Sequence, residues 1–405
     1  MDGCGGDGRR PRAVFMAFGT HGDVFPIAAL AAAFSLDQQQ YSVVFITHSA
    51  HQNLSAHLAA SNVRYMPVSS PPVLAAKQLE NIAYGSVESN AEYESFSRRK
   101  ETIQIEHREE CLSYVEEVFG NDPSIRSDFI VINFFALEGW HLAELFQVKC
   151  IIAAPYFVPY SAPTSFERQF KQSFPLLYKY FQEAPTNTVC WTDIAHWMWA
   201  LFMETWGSWR NDCLNLSPIP YTDPVTNLPL WHVRAESPLL LYGFSKEIVE
   251  RPVPESSELE ATALSCDSTL LFNSRLFCFS GSIPYSWLFP KCAAAIHHAG
   301  SGSTAAALFA GIPQVACPFL LDQFYWAERL HWLGVAPEPL KRQHLVPDVD
   351  DTLSINNAAD VLLGAIRSAL SPEIKAQATR IAHRLAPEDG VGEALRTLKE
   401  KVLCE

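Results

Sequence analysis

The sequence predicts an α/β protein made of two Rossmann-like, doubly wound domains. Short apolar runs alternate with helix-period segments from Ala13 onward, the rhythm of a parallel sheet with crossover helices. One stretch, Glu250 to Ser268, breaks the rhythm with prolines, acidic and hydroxyl residues before the alternation resumes. A chain of 405 residues also exceeds the roughly 100–200 usual for one domain. The expected organisation is a first domain over 13–249, a linker over 250–268 and a second domain over 269–405.

Each element has a local reason. AVFMAF, Ala13 to Phe18, is short, apolar and stopped by Gly19, as a strand buried on both faces would be. GTHGD reads as a turn, and PIAALAAAF as a helix opened by Pro26 near its first turn. YSVVFIT, VRYMPV, DFIVINF and CIIAAPY are further strands, with HQNLSAHLAAS and EGWHLAELF as helices between them. Pro155 to Leu230 is rich in aromatics and prolines and reads as loops and helices over the mouth of the sheet. PLLLYGFS closes the domain. In the second domain RLFCFSG, AAAIHH and QVACPF are strands. YSWLFPKC, GSTAAALFAG and DQFYWAERLHWLG are helices, and the tail from Asn356 to Leu403 is helical with a break at Pro387.

The bulk properties narrow the function. A formal charge of −14 argues against nucleic acid or an anionic membrane as the main partner, although one local anion site remains compatible. The ten cysteines are scattered, none in a CxxC pair, which suits reduced thiols in a cytoplasmic protein. The first twelve residues lack the apolar core of a secretory signal, and no apolar run approaches the roughly 20 residues of a membrane span. At most, peripheral membrane contact is expected.

Three segments carry chemistry. In HHAGSGST, Gly300 and Gly302 let the backbone approach a ligand. Ser301, Ser303 and Thr304 offer hydroxyls and first-turn N–H groups of a helix that favours an anion, and His297 adds a donor. Read by itself, the segment is also compatible with an ordinary strand–turn–helix. GTHGDVFP follows the first strand at the carboxyl edge, where open α/β sheets bind ligands. There Asp23 is either a general base or a helix N-cap, and His21 is the rival base. Asp322 and Gln323, past another strand, could meet adjacent sugar hydroxyls, or cap a helix.

GTHGDVFP together with SIPYSWLFPKCAAAIHHAGSGSTAAALFAGIPQVACPFLLDQFYWAERLHWLGVAPEPL resembles the UDP-dependent glycosyltransferases of the GT-B fold, family 1, above all the plant sterol 3-beta-glucosyltransferase branch. The resemblance implies an N-terminal acceptor domain, a C-terminal UDP-sugar domain and an active site in the cleft between them. It implies Asp23 as catalytic base with His21 supporting it, and Gly19, Thr20 and Gly22 of the same loop as ligand-binding residues on the donor side. His297 and the backbone from Gly300 to Ser303, with Thr304, would hold the diphosphate. Asp322 and Gln323 would hold the sugar, and the backbone of Ile283 the uracil. The implied reaction is a single inverting displacement onto a sterol or other lipophilic alcohol, with UDP-glucose as donor and neither metal nor cofactor.

Two departures from the family stand out. Relatives carry roughly ninety more residues between the last N-domain strand and SIPYSWLFP, including the first donor-domain strand and its glycine- and serine-rich turn. Its loss should expose apolar strand edges. Ala299 stands where relatives usually have glycine, which matters if that backbone needs a positive φ. Two other readings are therefore weighed: a non-catalytic member that binds a hydrophobic ligand, and another GT-B enzyme such as a nucleotide-sugar epimerase. The aromatics from Trp191 to Trp231 favour an apolar acceptor over a second sugar nucleotide.

Overall fold

The computed structural model describes residues 9–72, 88–120, 127–154, 165–185, 188–203, 206, 209–216, 238–245, 247–248, 269–273, 276–279, 283–320, 322–345 and 352–403. The expected linker, 250–268, lies outside the described residues, as does most of the aromatic stretch beyond 216. The chain forms two compact units, one of Met1–Ala154, Ala162–Leu241 and Ala394–Glu405, the other of Pro155–Ser161 and Tyr242–Glu393. The expected division therefore needs correcting at both ends. The second unit begins at Tyr242 rather than after 250, and the last segment of the chain groups with the first unit.

The first unit runs β1 (Arg12–Met16), α1 (His21–Asp37), β2 (Ser42–His48), a 3-10 turn (Ser49–Leu54), α2 (Ser55–Ala60), β3 (Val63–Val68), α3 (Glu88–Phe119), β4 (Phe129–Ile132), α4 (Glu138–Leu145) and β5 (Lys149–Ala154). Then follow α5 (Phe166–Ser173), α6 (Pro175–Glu183), α7 (Trp191–Asp193), a π turn (Ile194–Met198), α8 (Trp199–Met203) and β6 (Leu239–Tyr242). The strands form one sheet in the order β3-β2-β1-β4-β5-β6. The β1–β2, β2–β3, β1–β4 and β4–β5 ladders are parallel. Val14, Phe15, Met16 and all four residues of β4 have no exposed surface, because helices cover both faces of a parallel sheet. The strand order reverses between β1 and β4. The loops leaving those two strands flank the crevice where such sheets bind ligands.

One helix start differs from the sequence reading. α1 begins at His21, so three of the five residues of the expected GTHGD turn are helical and Pro26 lies inside the helix rather than at its opening. The missing proline N–H costs one helical bond, and burial of Val24, Phe25, Ile27, Ala28 and Leu30 offsets it.

The second unit runs β7 (Thr269–Asn273), β8 (Leu276–Phe279), α9 (Tyr285–Leu288), β9 (Ala295–His297), α10 (Ser301–Phe309), β10 (Gln314–Ala316), α11 (Gln323–Trp332), α12 (Thr352–Ala369), α13 (Pro372–Leu385) and α14 (Gly390–Leu398), whose residues from Ala394 group with the first unit. Among the described residues its parallel sheet is the pair β10–β9 alone. The RLFCFSG strand, expected within a doubly wound sheet, instead pairs antiparallel with β7. Ile296 on β9 is 46% exposed, consistent with the loss of a neighbouring strand. Phe289, Ala295, Ala307 and Ile312 form one small core, and Val315, Cys317, Leu340, Ala365 and Ala369 another. Among the described residues no helix is long and apolar enough to cross a membrane.

Candidate functional site

The β1–α1 connection is held from three sides. Gly19 takes φ +107°, and a methyl group built on it would meet Asp23 Oδ2 at 2.7 Å and Phe135 Cδ2 at 3.0 Å. Only glycine fits there. His51 donates from Nε2 to the Gly19 carbonyl at 2.9 Å. Asn133, just past β4, donates from Nδ2 to the Phe18 and Asp23 carbonyls at 2.8 and 3.1 Å, and its Oδ1 accepts the Phe18 N–H at 3.2 Å.

Asp23 occupies the third position of α1, not the N-cap that sequence reasoning offered as the alternative to a base. Thr20 is the N-cap. The Thr20 N–H and hydroxyl both donate to Asp23 Oδ2 at 2.8 Å, leaving Oδ1 without a protein partner among the described residues. Burial raises the Asp23 pKa, outweighing the two Thr20 bonds that lower it. A carboxylate of raised pKa is a better base at neutral pH. The Thr20 donors, expected to face a ligand, are thus committed to this carboxylate. His21 and Gly22 are exposed on the first helical turn, and the His21 ring lies 4.7 Å from Phe25 and 5.2 Å from His51.

In the second unit, β9 ends at His297 and Gly300 caps α10. The first helical bond runs from Thr304 N–H to the Gly300 carbonyl at 3.0 Å. The N–H groups of Ser301, Gly302 and Ser303 precede it and point past the helix start. Nothing lies within 4 Å of a methyl group built on Gly302, so the turn opens onto free space. Such an end attracts an anion. The hydroxyls behave differently from expectation. Ser303 is buried and donates to the Tyr285 hydroxyl at 3.3 Å, and Thr304 Oγ1 is buried with no partner among the described residues. Of the hydroxyls in this turn, Ser303 and Thr304 therefore face inward, and the unpaired first-turn N–H groups remain as anion donors.

His297 also departs from its expected role. Its Nδ1 accepts the Ala299 N–H at 3.0 Å, and its Nε2 bonds the Gln314 side-chain oxygen at 2.8 Å. With Nδ1 accepting, Nε2 carries the proton and both ring nitrogens are engaged within the protein. Burial lowers the His297 pKa to about 4, so the ring is neutral at pH 7. In this arrangement it braces the turn through both ring nitrogens. The brace holds Ala299 at φ +62°, the left-handed region that glycine adopts freely and alanine does not.

Gln323 Oε1 accepts the N–H groups of Phe319 and Leu320 at 2.8 and 3.0 Å, and Asp322 Oδ2 accepts the Trp326 indole N–H at 3.0 Å. Both side chains therefore first shape their own loop. The Gln323 amide nitrogen has no hydrogen-bond partner among the described residues. Ile283 is half-buried in the turn before α9.

A feature that the sequence did not single out lies in the first unit. Phe134, Phe135, Leu137, Glu138, Trp199, Ala200 and Trp206 line a cavity of about 220 Å³. Phe135 is both a wall of this cavity and the ring against Gly19. The Arg108 guanidinium stacks on Trp206 at 4.2 Å. Buried Arg210 ties the tryptophan segment to α4 through His141 Nδ1 at 2.8 Å and Glu144 Oε1 at 2.7 Å. The aromatic density from Trp191 hinted at such a berth. Glu138 carried no signal beyond opening a helix.

Comparison with known proteins follows this geometry. Residues 259–378 match the family model for the erythromycin biosynthesis protein CIII-like C-terminal domain. Sterol 3-beta-glucosyltransferase UGT80B1 of Arabidopsis thaliana is 40% identical over 112 residues, 28% of this chain and 16% of that protein. A sterol 3-beta-glucosyltransferase of Saccharomyces cerevisiae (strain YJM789) is 23% identical over 447 residues, 95% of this chain and 34% of that protein. The chain thus spans well under half the length of these relatives. Among solved structures, CalG4, the calicheamicin glycosyltransferase, aligns with a TM-score of 0.55 at 15% identity, over 97% of this chain and 98% of that one. The spinosyn rhamnosyltransferase SpnG complexed with thymidine diphosphate aligns with a TM-score of 0.54 at 14% identity, over 96% of this chain and 100% of the other.

Proposed function

We propose that this chain, which has the GT-B glycosyltransferase fold and whose residues 259–378 match the erythromycin biosynthesis protein CIII-like C-terminal domain model, transfers a sugar from a UDP-sugar to the hydroxyl of a sterol or other lipophilic alcohol. The observation that carries the reading is that Asp23 and Phe135, a wall of the aromatic cavity, both crowd the position of a side chain on Gly19. A base of raised pKa thereby stands near an apolar berth, as glycosylation of a lipophilic alcohol requires.

In this reading Asp23 Oδ1 takes the acceptor proton as the hydroxyl oxygen attacks the anomeric carbon. Attack and proton transfer go together because a free alcohol is too weak an acid to ionise first. The bond to the UDP oxygen breaks on the opposite face, which inverts the anomeric centre. Negative charge growing on the diphosphate is met by the N–H groups of Ser301, Gly302 and Ser303 and by the α10 dipole. His297 keeps that turn in shape. Gln323 and Asp322 serve the sugar, and glucose is the donor sugar suggested by the names of the sterol glucosyltransferase relatives.

The second reading, a non-catalytic protein that binds a lipophilic ligand, draws support from the two-stranded donor-side sheet. Purified protein incubated with labelled UDP-glucose and a sterol panel separates the two. Labelled steryl glycoside is the expected result. Sterol binding without transfer, together with a UDP affinity weaker than about millimolar, would establish the second reading instead.

A further inference from the structure

The aromatic cavity walled by Phe135 has one polar wall. Glu138 lies among Phe134, Phe135, Leu137, Trp199, Ala200 and Trp206, and its side chain is 8% exposed. Arg108 Nε and His107 Nε2 each lie 3.7 Å from one of its carboxylate oxygens. Burial pushes the Glu138 pKa up, but the His107 contact, the Arg108 charge and the residue's own backbone N–H together outweigh it and hold the pKa below the ordinary value. At 3.7 Å both contacts are longer than close hydrogen bonds, and an ionised carboxylate has about four acceptor sites, more than these two contacts and its own backbone N–H fill. An acceptor-only group in an aromatic cavity discriminates between ligands that bring it a donor and ligands that do not.

We propose that Glu138 accepts a hydrogen bond from a second hydroxyl on the acceptor, remote from the one that is glycosylated, so that the preferred acceptors are rigid apolar diols rather than monools. The inference rests on the acceptor reading of this cavity. A ligand without the second donor leaves the buried carboxylate facing hydrocarbon. Sites built around a polar group reject such analogues far more strongly than they reject a missing methylene.

The test uses a saturated steroid 3β-alcohol and the same skeleton bearing a second hydroxyl on the far ring, both tritiated. Equilibrium binding to the wild-type chain should favour the diol by about tenfold or more, the factor a hydrogen bond to a charged group commonly carries. In Glu138→Gln the preference should fall toward unity. Because that variant leaves Arg108 less balanced, the wild-type comparison stands by itself if the variant does not fold. Equal affinities of the wild type for the two steroids would overturn the inference, whether or not sugar is transferred. Diol preference without transfer would uphold it while refuting the proposed catalysis.

Discussion

Asp23 performs two tasks that different substitutions separate. As the third residue of α1 it accepts two bonds from Thr20, both 2.8 Å long. As the proposed base it uses the other oxygen. Asp23→Asn keeps a carbonyl oxygen that can accept from Thr20, so the loss of stability should stay below about 1 kcal/mol. The amide cannot take a proton, so turnover should fall by roughly 10²–10⁴, equivalent to about 3–5 kcal/mol of barrier. Asp23→Ala removes both functions and should add about 0.5–2 kcal/mol of destabilisation to the same loss of rate. Urea unfolding and transfer of labelled glucose, measured on the same preparations, read the two effects independently. An Asp23→Asn enzyme within about tenfold of the wild-type rate would refute the assignment, and loss of rate in His21→Ala would then move the base to His21. The wild-type rate should also decline on the acid side at a midpoint above the ordinary aspartate value of 3.8, because burial raises this pKa and only the ionised form accepts a proton. The stability contribution has the opposite sense. A raised pKa means that the folded chain holds this proton more readily, so the contribution is present at low pH and lost as pH rises through the folded value.

Three further outcomes are expected. Gly302→Ala adds a methyl group that meets no protein atom, so the melting temperature should hold or rise, with up to about 1 kcal/mol gained in helix propensity, while UDP binding weakens by about tenfold or more because the group blocks the open turn. Ala299→Gly relieves a φ of +62°, a strain of about 1–2 kcal/mol, against about 0.5–1 kcal/mol of added chain entropy and the loss of one buried methyl group. Its stability should therefore lie within about 1 kcal/mol of wild type, whereas Ala299→Val, β-branched in the same conformation, should unfold at clearly lower urea; equal midpoints for the three proteins would contradict the strain. His297 and His48 are both lowered from 6.5 to about 4, so each contributes stability that is complete above 6.5 and lost as pH falls toward 4. The melting temperature should drop across that window, less steeply in His297→Gln, and a flat profile would refute the buried neutral rings.

Much of the fold was legible because its signals are local. β1 and β4 are apolar on both faces, Gly19 and Gly300 stand where a strand must turn into a helix, and Gly311 and Gly334 follow the helices they stop, at φ +68° and +71°. These positions need only the neighbouring residues to be understood. The conditional reading of Ala299 belongs here too, since the sequence posed the question and the backbone answered it.

Which atoms remain for chemistry was a tertiary matter. His297 was named from its place at a strand end, but whether it faces a ligand depends on Gln314, seventeen residues away on β10. Thr20 and Gln323 reached the candidate site by motif, and their hydrogen bonds proved to hold their own loops. The aromatic cavity joins residues following β4 to residues of α8 and beyond, and Glu138 is charged there because α3 brings His107 and Arg108 to it. Sequence spacing determined where the backbone turns and which residue types stand at the turns. Packing between distant segments alone decided burial, and burial set which carboxylate is basic, which histidine is neutral and which wall of the cavity is polar.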